Sequence, residues 1–161
     1  MSGSGQAPEV RIEEVSPDSP DAEHCLACYF AELRDRFDSG FDPGLSSAPT
    51  LDDFRPPRGS FLVMRLDGRP VGCGGFKPEK SGAAYIKRMW IAADARGLGL
   101  GRRLLGALED HARSLGYRTI RLETEKSLGE AQQLYRSAGY SEVPRFNDEL
   151  YAHHWFEKTL D

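Results

Sequence analysis

Cysteine is scarce and odd in number, with only Cys25, Cys28 and Cys73 in 161 residues. That count excludes the paired framework that staples small secreted domains. His24, Cys25 and Cys28 have the spacing of half a zinc site, but no second half with that spacing follows, so no metal is expected. Long apolar runs are missing as well. No stretch approaches the roughly 20 residues of a membrane span, and residues Met1–Glu9 have neither the basic start nor the apolar core of a signal peptide. No membrane partner is expected, and the default is a soluble cytoplasmic chain. Charge of one sign is also lacking. The 21 Lys and Arg stand against 25 Asp and Glu, for a net charge of -4. That balance gives no general field for a partner such as nucleic acid. The length suits one domain, read here as a disordered tail over residues 1–8 and a single domain over residues 9–161.

What is present concentrates between Arg96 and Arg102, in the run Arg-Gly-Leu-Gly-Leu-Gly-Arg. Ahead of it, Tyr85–Ala92 mixes aromatic and β-branched residues over a strand's length. Behind it, Leu100, Leu104, Leu105, Leu108, Ala112 and Leu115 recur at three- and four-residue spacing, an apolar helical face that ends before Gly116. The glycines therefore sit at a strand-to-helix junction. The first amides of such a helix have no internal partner and carry the positive end of its dipole, so they favour an anion. Without Cβ atoms at Gly97, Gly99 and Gly101, a phosphate can approach the main chain closely. Two familiar phosphate loops fail against these letters. The Walker loop needs Lys-Ser or Lys-Thr where Arg102-Arg103 follow Gly101, and the dinucleotide fingerprint needs a third glycine where Arg102 or Leu104 stands.

Along the rest of the chain, Val10, Ile12 and Val15 suggest a first strand. Ser19 as N-cap, Pro20 in the first turn and acidic Asp21 and Glu23 then open a helix that runs to about Arg36. Gly40, Pro43, Gly44, Pro49, Pro56 and Pro57 break periodicity between Phe37 and Arg58, which reads as a long aromatic-bearing loop with room for one short helix. Asp67-Gly68 between Phe61–Leu66 and Val71–Phe76 signals a hairpin. Thr119–Glu123 reads as a strand. Ser127-Leu128-Gly129-Glu130 reads as a capping box for a helix bearing Ala131, Leu134, Tyr135 and Ala138, closed by Gly139. Pro144–Asp148 is a loop and Glu149–Leu160 a last strand. The order is β-α-β-β-β-α-β-α-β.

Arg96, Gly99 and Gly101 fit the pattern Arg or Gln, two residues, Gly, one residue, Gly or Ala. With the flanking strand and helix, the strand Thr119–Glu123 and the run Ala131–Tyr140, the segment from Phe61 to Tyr140 resembles the GNAT acetyltransferase superfamily. The resemblance implies an α/β (α+β) fold, with a mixed, mostly antiparallel central sheet and helices on both faces. It implies acetyl-CoA as cosubstrate and acetyl transfer to a primary amine of a small molecule or amino acid, with a homodimer left open. Amides of Gly97, Leu98, Gly99, Leu100, Gly101 and Arg102 would hold the diphosphate, with Arg96 or Arg102 adding charge-assisted bonds. Met89, Trp90 and Ile91 would offer backbone groups to the pantetheine arm as an added strand does. Two other readings share the resemblance: a non-catalytic acyl-CoA sensor, and an acetyltransferase acting on a protein N-terminus or lysine.

Acetyl transfer to an amine poses two proton problems. The incoming ammonium must lose a proton, and the departing thiolate, with an unperturbed pKa of about 8.5, is helped by a donor. Tyr135 fits the donor role, since the resemblance sets it beside the sulfur; the competing reading is core packing with Ala131, Leu134 and Ala138. Glu123 is the candidate base, against the alternative of a solvated strand end. Strand alternation directs Lys87 and Arg88 to opposite faces, so one of them can reach the acceptor pocket, where Arg88 would suit a carboxylate. Arg36, Phe37 and Phe41 are further candidates for that pocket, and at most one of His153 and His154 can point into a site. Leu128 occupies the position where the family often has an asparagine that orients the cofactor.

Overall fold

A computed structural model describes residues 8–37, 41–42 and 51–161. The tail expected over residues 1–8, save its last residue, and half of the loop expected over Phe37–Arg58 lie outside the described residues. Chain order is β1 (Val10–Glu14), α1 (Pro20–Arg36), a 3-10 turn (Leu51–Phe54), β2 (Ser60–Leu66), β3 (Arg69–Pro78), β4 (Ala84–Ile91), a second 3-10 turn (Ala93–Ala95), α2 (Leu100–Ser114), β5 (Thr119–Thr124), α3 (Gly129–Ser137), β6 (Ser141–Val143) and β7 (His154–Thr159). The seven strands form one sheet in the order β1-β2-β3-β4-β5-β7-β6. Every pairing is antiparallel except β4 with β5. This is the mixed, mostly antiparallel sheet that the sequence led one to expect.

Alternation along the strands divides the core between the two faces. Phe61, Val63, Cys73 and Trp90 pack under α1 with Ala22, Cys25 and Leu26. Leu62, Met64, Val71, Phe76 and Ile86 pack on the other face against Leu100, Leu104, Leu105, Leu108 and Ala112 of α2, together with Tyr135 of α3. β3 is squeezed between these layers. A Cβ on its Gly75 would stand 2.6 Å from the ring of Phe54, so only glycine lets the 3-10 turn lie this close to the sheet. All three cysteines are free thiols.

α1 starts as expected, with Ser19 extended at the cap and its Oγ accepting from the Ala22 amide at 3.4 Å. α3 does not. Leu128 is its cap residue and makes no side-chain cap bond, while Ser127 Oγ donates to the Arg36 carbonyl at 3.5 Å. The capping-box residue thus ties α3 to the end of α1. The C-terminal region also differs from the single strand expected over Glu149–Leu160. Asn147 Oδ1 accepts from Trp155 Nε1 at 2.9 Å and from the Glu149 amide at 3.2 Å. Those bonds fold the segment back on itself, so β7 begins only at His154, and Ser141–Val143 adds a seventh strand beside it.

Two irregularities position the site. β4 and β5 pair only at Ala84 with Ile120 and at Tyr85 with Arg121; beyond that they part, and the β5-facing edge of β4 from Ile86 onward borders a gap. On its other side, β4 carries a bulge. Cys73 lies opposite Trp90 and Gly75 opposite Lys87, so Arg88 and Met89 together face Gly74. Arg88 absorbs the extra residue at φ 61°, a left-handed conformation that a non-glycine side chain seldom adopts.

Candidate active site

The gap between β4 and β5 opens into two adjoining cavities. The larger, of about 340 Å³, is lined by Met89, Trp90 and Ile91 of β4, by Arg96, Gly97, Gly99, Leu100, Gly101 and Arg102, and by Leu134 and Tyr135 of α3. Gly97 and Gly99 take φ values of 84° and 76°, and Gly99 is the left-handed cap residue of α2, with no acidic residue in the turn that follows. The Arg103 amide bonds to the Gly99 carbonyl at 3.2 Å, whereas the amides of Leu100, Gly101 and Arg102 find no main-chain acceptor among the described residues. A Cβ at Gly97 or Gly99 would meet nothing within 4 Å; the constraint at these positions is the positive φ, and the space above them is open. The result is a concave row of unsatisfied N–H groups at a helix start, an anion site by construction.

The two arginines expected to reinforce that row are both engaged. Arg96 bonds to both oxygens of Glu32 on α1, at 2.6 and 2.8 Å, and to the Ile91 carbonyl at 2.9 Å. Arg102 donates to Ser137 Oγ and to the Ser137 carbonyl at the end of α3, each at 2.9 Å. They brace the loop against two helices, and Leu98 turns its side chain outward at 60 % exposure.

The second cavity, of about 110 Å³, is lined by Tyr29, Phe30, Phe37, Phe41, Lys87, Arg88, Glu123, Glu149 and Tyr151 among others. Phe37 and Phe41 thus line the same cavity as Arg88. Arg36 lies in the larger cavity instead, tied to Glu130 at 2.9 Å. The expectation that Lys87 and Arg88 face opposite ways is overturned: the bulge interrupts alternation, and both line this cavity. Arg88 lies over the rings of Phe30 and Phe54, each at 5.3 Å. Lys87 bonds to Glu149 at 2.9 Å and to Glu123 Oε1 at 3.4 Å. Tyr85 donates to the same Glu123 oxygen. Glu123 is thus no solvated strand end. Its side chain is 4 % exposed, and burial raises its pKa above the ordinary 4.5, with Lys87 and the Tyr85 hydroxyl pulling against that shift.

Tyr135 lines both cavities. Burial, and then the nearby Glu123 charge, push its pKa well above the usual phenol value, so the hydroxyl stays protonated and no described residue hydrogen-bonds it. Tyr29 of α1 also lines both cavities, with its phenol raised in the same way by burial. Neither His153 nor His154 lines either cavity. His153 Nδ1 accepts from the Lys126 amide at 3.1 Å, and His154 pairs with Glu142. Sequence reasoning missed Tyr29, Glu32, Glu149 and Tyr151. The apolar face of α1 carried a signal for Tyr29, three residues after Leu26 and four before Leu33. Glu149 and Tyr151 were hidden by reading their segment as a strand.

Among the described residues, no group of three or more His, Cys, Asp or Glu could hold a metal ion, and no helix is long and apolar enough to cross a membrane. Solved structures share the architecture. An assigned acyl-CoA N-acyltransferase of Klebsiella pneumoniae superposes with a TM-score of 0.74 at 30 % identity, covering 94 % of this chain and 98 % of that one. A GNAT acetyltransferase of Staphylococcus aureus gives 0.80 at 18 % identity over 95 % and 100 %. Among curated proteins, the chain is 38 % identical over 93 residues to the IAA acetyltransferase of Azospirillum brasilense, which is 57 % of this chain and 61 % of that one. The chain therefore spans about three fifths of that relative's length. The model of the acetyltransferase (GNAT) family, whose members use acetyl-CoA, matches residues 26–140. The chain belongs to the GNAT acetyltransferase family.

Proposed function

We propose that the protein is an acetyl-CoA-dependent N-acetyltransferase whose acceptor is the primary amine of a small molecule. The observation that carries this reading is the position of Tyr135, a phenol kept protonated by burial where the two cavities meet. A mere cosubstrate sensor has no need of a proton donor there. The rings of Phe37, Phe41 and Tyr151 cluster over the second cavity, at centroid distances of 4.7 to 5.5 Å. That cover suits a small acceptor better than a protein chain.

In this reading, the free amides of Leu100, Gly101 and Arg102 hold the diphosphate, and the open edge of β4 at Met89–Ile91 pairs with the amides of the pantetheine arm. Acetyl-CoA supplies the thioester carbonyl. Glu123 takes a proton from the acceptor ammonium, directly or through a water, leaving a lone pair on nitrogen. Nitrogen then bonds to the carbonyl carbon as the carbon–sulfur bond breaks; Tyr135 gives its proton to the departing sulfur and regains one from the nitrogen, which sheds a proton as it becomes the neutral amide. Holding the two reactants on either side of one tyrosine accounts for much of the acceleration on its own.

The test is thiol release from acetyl-CoA across a panel of amines, amino acids and a lysine-containing peptide. Turnover with a free amine or amino acid, absent with the peptide, supports the reading. Turnover confined to the peptide removes the small acceptor. Silence across the panel, with acetyl-CoA still raising Tm, favours the sensor.

A further inference from the structure

The acceptor cavity holds more charge than the acetylation of a bare amine requires. Glu123 and Glu149, with side chains 4 % and 5 % exposed, meet at the Lys87 ammonium. Glu123 spends one oxygen on Lys87 and Tyr85, while its other oxygen, Oε2, is buried without a hydrogen-bond partner. A buried carboxylate oxygen left without a donor is costly, and an ammonium group brings three donors to satisfy it. The same cavity is lined by Arg88, whose guanidinium is held between two phenylalanine rings and whose backbone sits in the left-handed region. Strain of this kind persists where the surrounding structure fixes it, and it clusters at ligand sites. A fixed, planar cation is the partner that a carboxylate takes in bidentate fashion. The remaining wall is aromatic, from Phe37, Phe41 and Tyr151.

We propose that the acceptor is a free amino acid with an apolar side chain. Its ammonium donates to Glu123 Oε2, its carboxylate accepts from Arg88, and its side chain rests on the aromatic wall. This rests on the N-acetyltransferase reading and narrows it to one chemical class. One residue recognises each charge of the zwitterion, and the residue that binds the ammonium is also the one placed to take its proton.

Matched pairs test it: L-leucine against isoamylamine, and L-phenylalanine against phenethylamine, each assayed for thiol release with the wild type, Arg88→Met and Arg88→Lys. A charge-assisted contact predicts a kcat/KM for the amino acid at least about tenfold above that of its decarboxylated partner. Arg88→Met should bring the two to within about threefold, chiefly by raising KM for the amino acid, and Arg88→Lys should keep part of the preference. Because the readout is a ratio within one preparation, a partly unfolded variant does not blur it. Equal or better turnover of the amines by the wild type overturns the proposal, as does a preference that survives Arg88→Met. Both outcomes leave acetyl transfer standing. Silence with all four compounds also overturns it, and if acetyl-CoA then fails to raise Tm, the N-acetyltransferase reading falls as well.

Discussion

The two cavities that meet at Tyr135 are built in opposite ways. The larger is centred on main chain, a row of amides at the start of α2 and the unpaired edge of β4, with glycines that let the backbone turn, between walls from α1 and α3. The smaller is made of side chains drawn from α1, β4, β5 and the segment before β7. In the proposed function, the backbone site recognises what every acyl-CoA shares, and it tolerates changes in the side chains around it. A side-chain site can be altered one residue at a time. The contrast suits an enzyme that keeps one donor while its acceptor is free to diverge.

The strongest way to break that contrast is to spoil the backbone site alone. Gly99→Glu puts a side chain on a residue at φ 76° and a carboxylate beside the helix start. Acetyl-CoA at about 100 times its dissociation constant should stabilise the wild type by about 2.7 kcal/mol and the variant not at all, as read from Tm. A retained shift would remove the loop from donor binding. Next in size, Tyr135→Phe should lower kcat by about 10²- to 10⁴-fold with little change in acetyl-CoA affinity. Equal losses in both would make Tyr135 a packing residue of the larger cavity.

A pH profile sharpens the acceptor side. Burial raises Glu123 above 4.5, so its basic form is lost at a higher pH than for an exposed glutamate. The acid limb of kcat/KM should lie above that value in the wild type and disappear in Glu123→Gln. A limb that persists unchanged belongs to the substrate amine instead. The sign for stability is the reverse of the usual carboxylate case. A folded pKa above the unfolded one favours the protonated native state, so this group's contribution is present at low pH and lost as pH rises through its folded value. The smallest effect is expected at Glu32, whose carboxylate holds Arg96. Glu32→Ala should loosen the loop and weaken acetyl-CoA binding by about two- to tenfold, with kcat kept. A loss of kcat instead would give the brace a part in the chemistry.

The same contrast explains what was legible in the sequence. The glycine loop is local: strand, glycines and helix follow one another without interruption from Ala84 to Ser114, and periodicity with missing Cβ atoms gave their geometry. The Ser19 cap, the Asp67-Gly68 turn and the α2 face are local for the same reason. The acceptor cavity is assembled across the fold, and alternation misled twice there. It assigned Lys87 and Arg88 to opposite faces, because no letter marks the bulge at Arg88. It also extended the last strand through Glu149 and Tyr151, because the bonds of Asn147 that curl this segment are long-range in their consequence. Ser127 failed as a cap for a related reason: its hydroxyl found the end of α1, a partner 91 residues away.

The bulge at Arg88 also bears on how such a protein can change through descent. Because Lys87 and Arg88 both line the acceptor cavity, the extra residue is absorbed at the bulge and the strand continues past it in unchanged phase, with Met89 and Ile91 packed towards α2 and Trp90 towards the α1 layer. Deleting Arg88 would leave Lys87, Met89 and Trp90 alternating on the faces they already occupy, so the edge proposed for the donor would keep its register. Substitution leaves the register alone too, since any other L-residue inherits the same backbone strain. Acceptor preference at this position is therefore open both to point mutation and to loss of the residue, with the neighbouring strand edge insulated from either change.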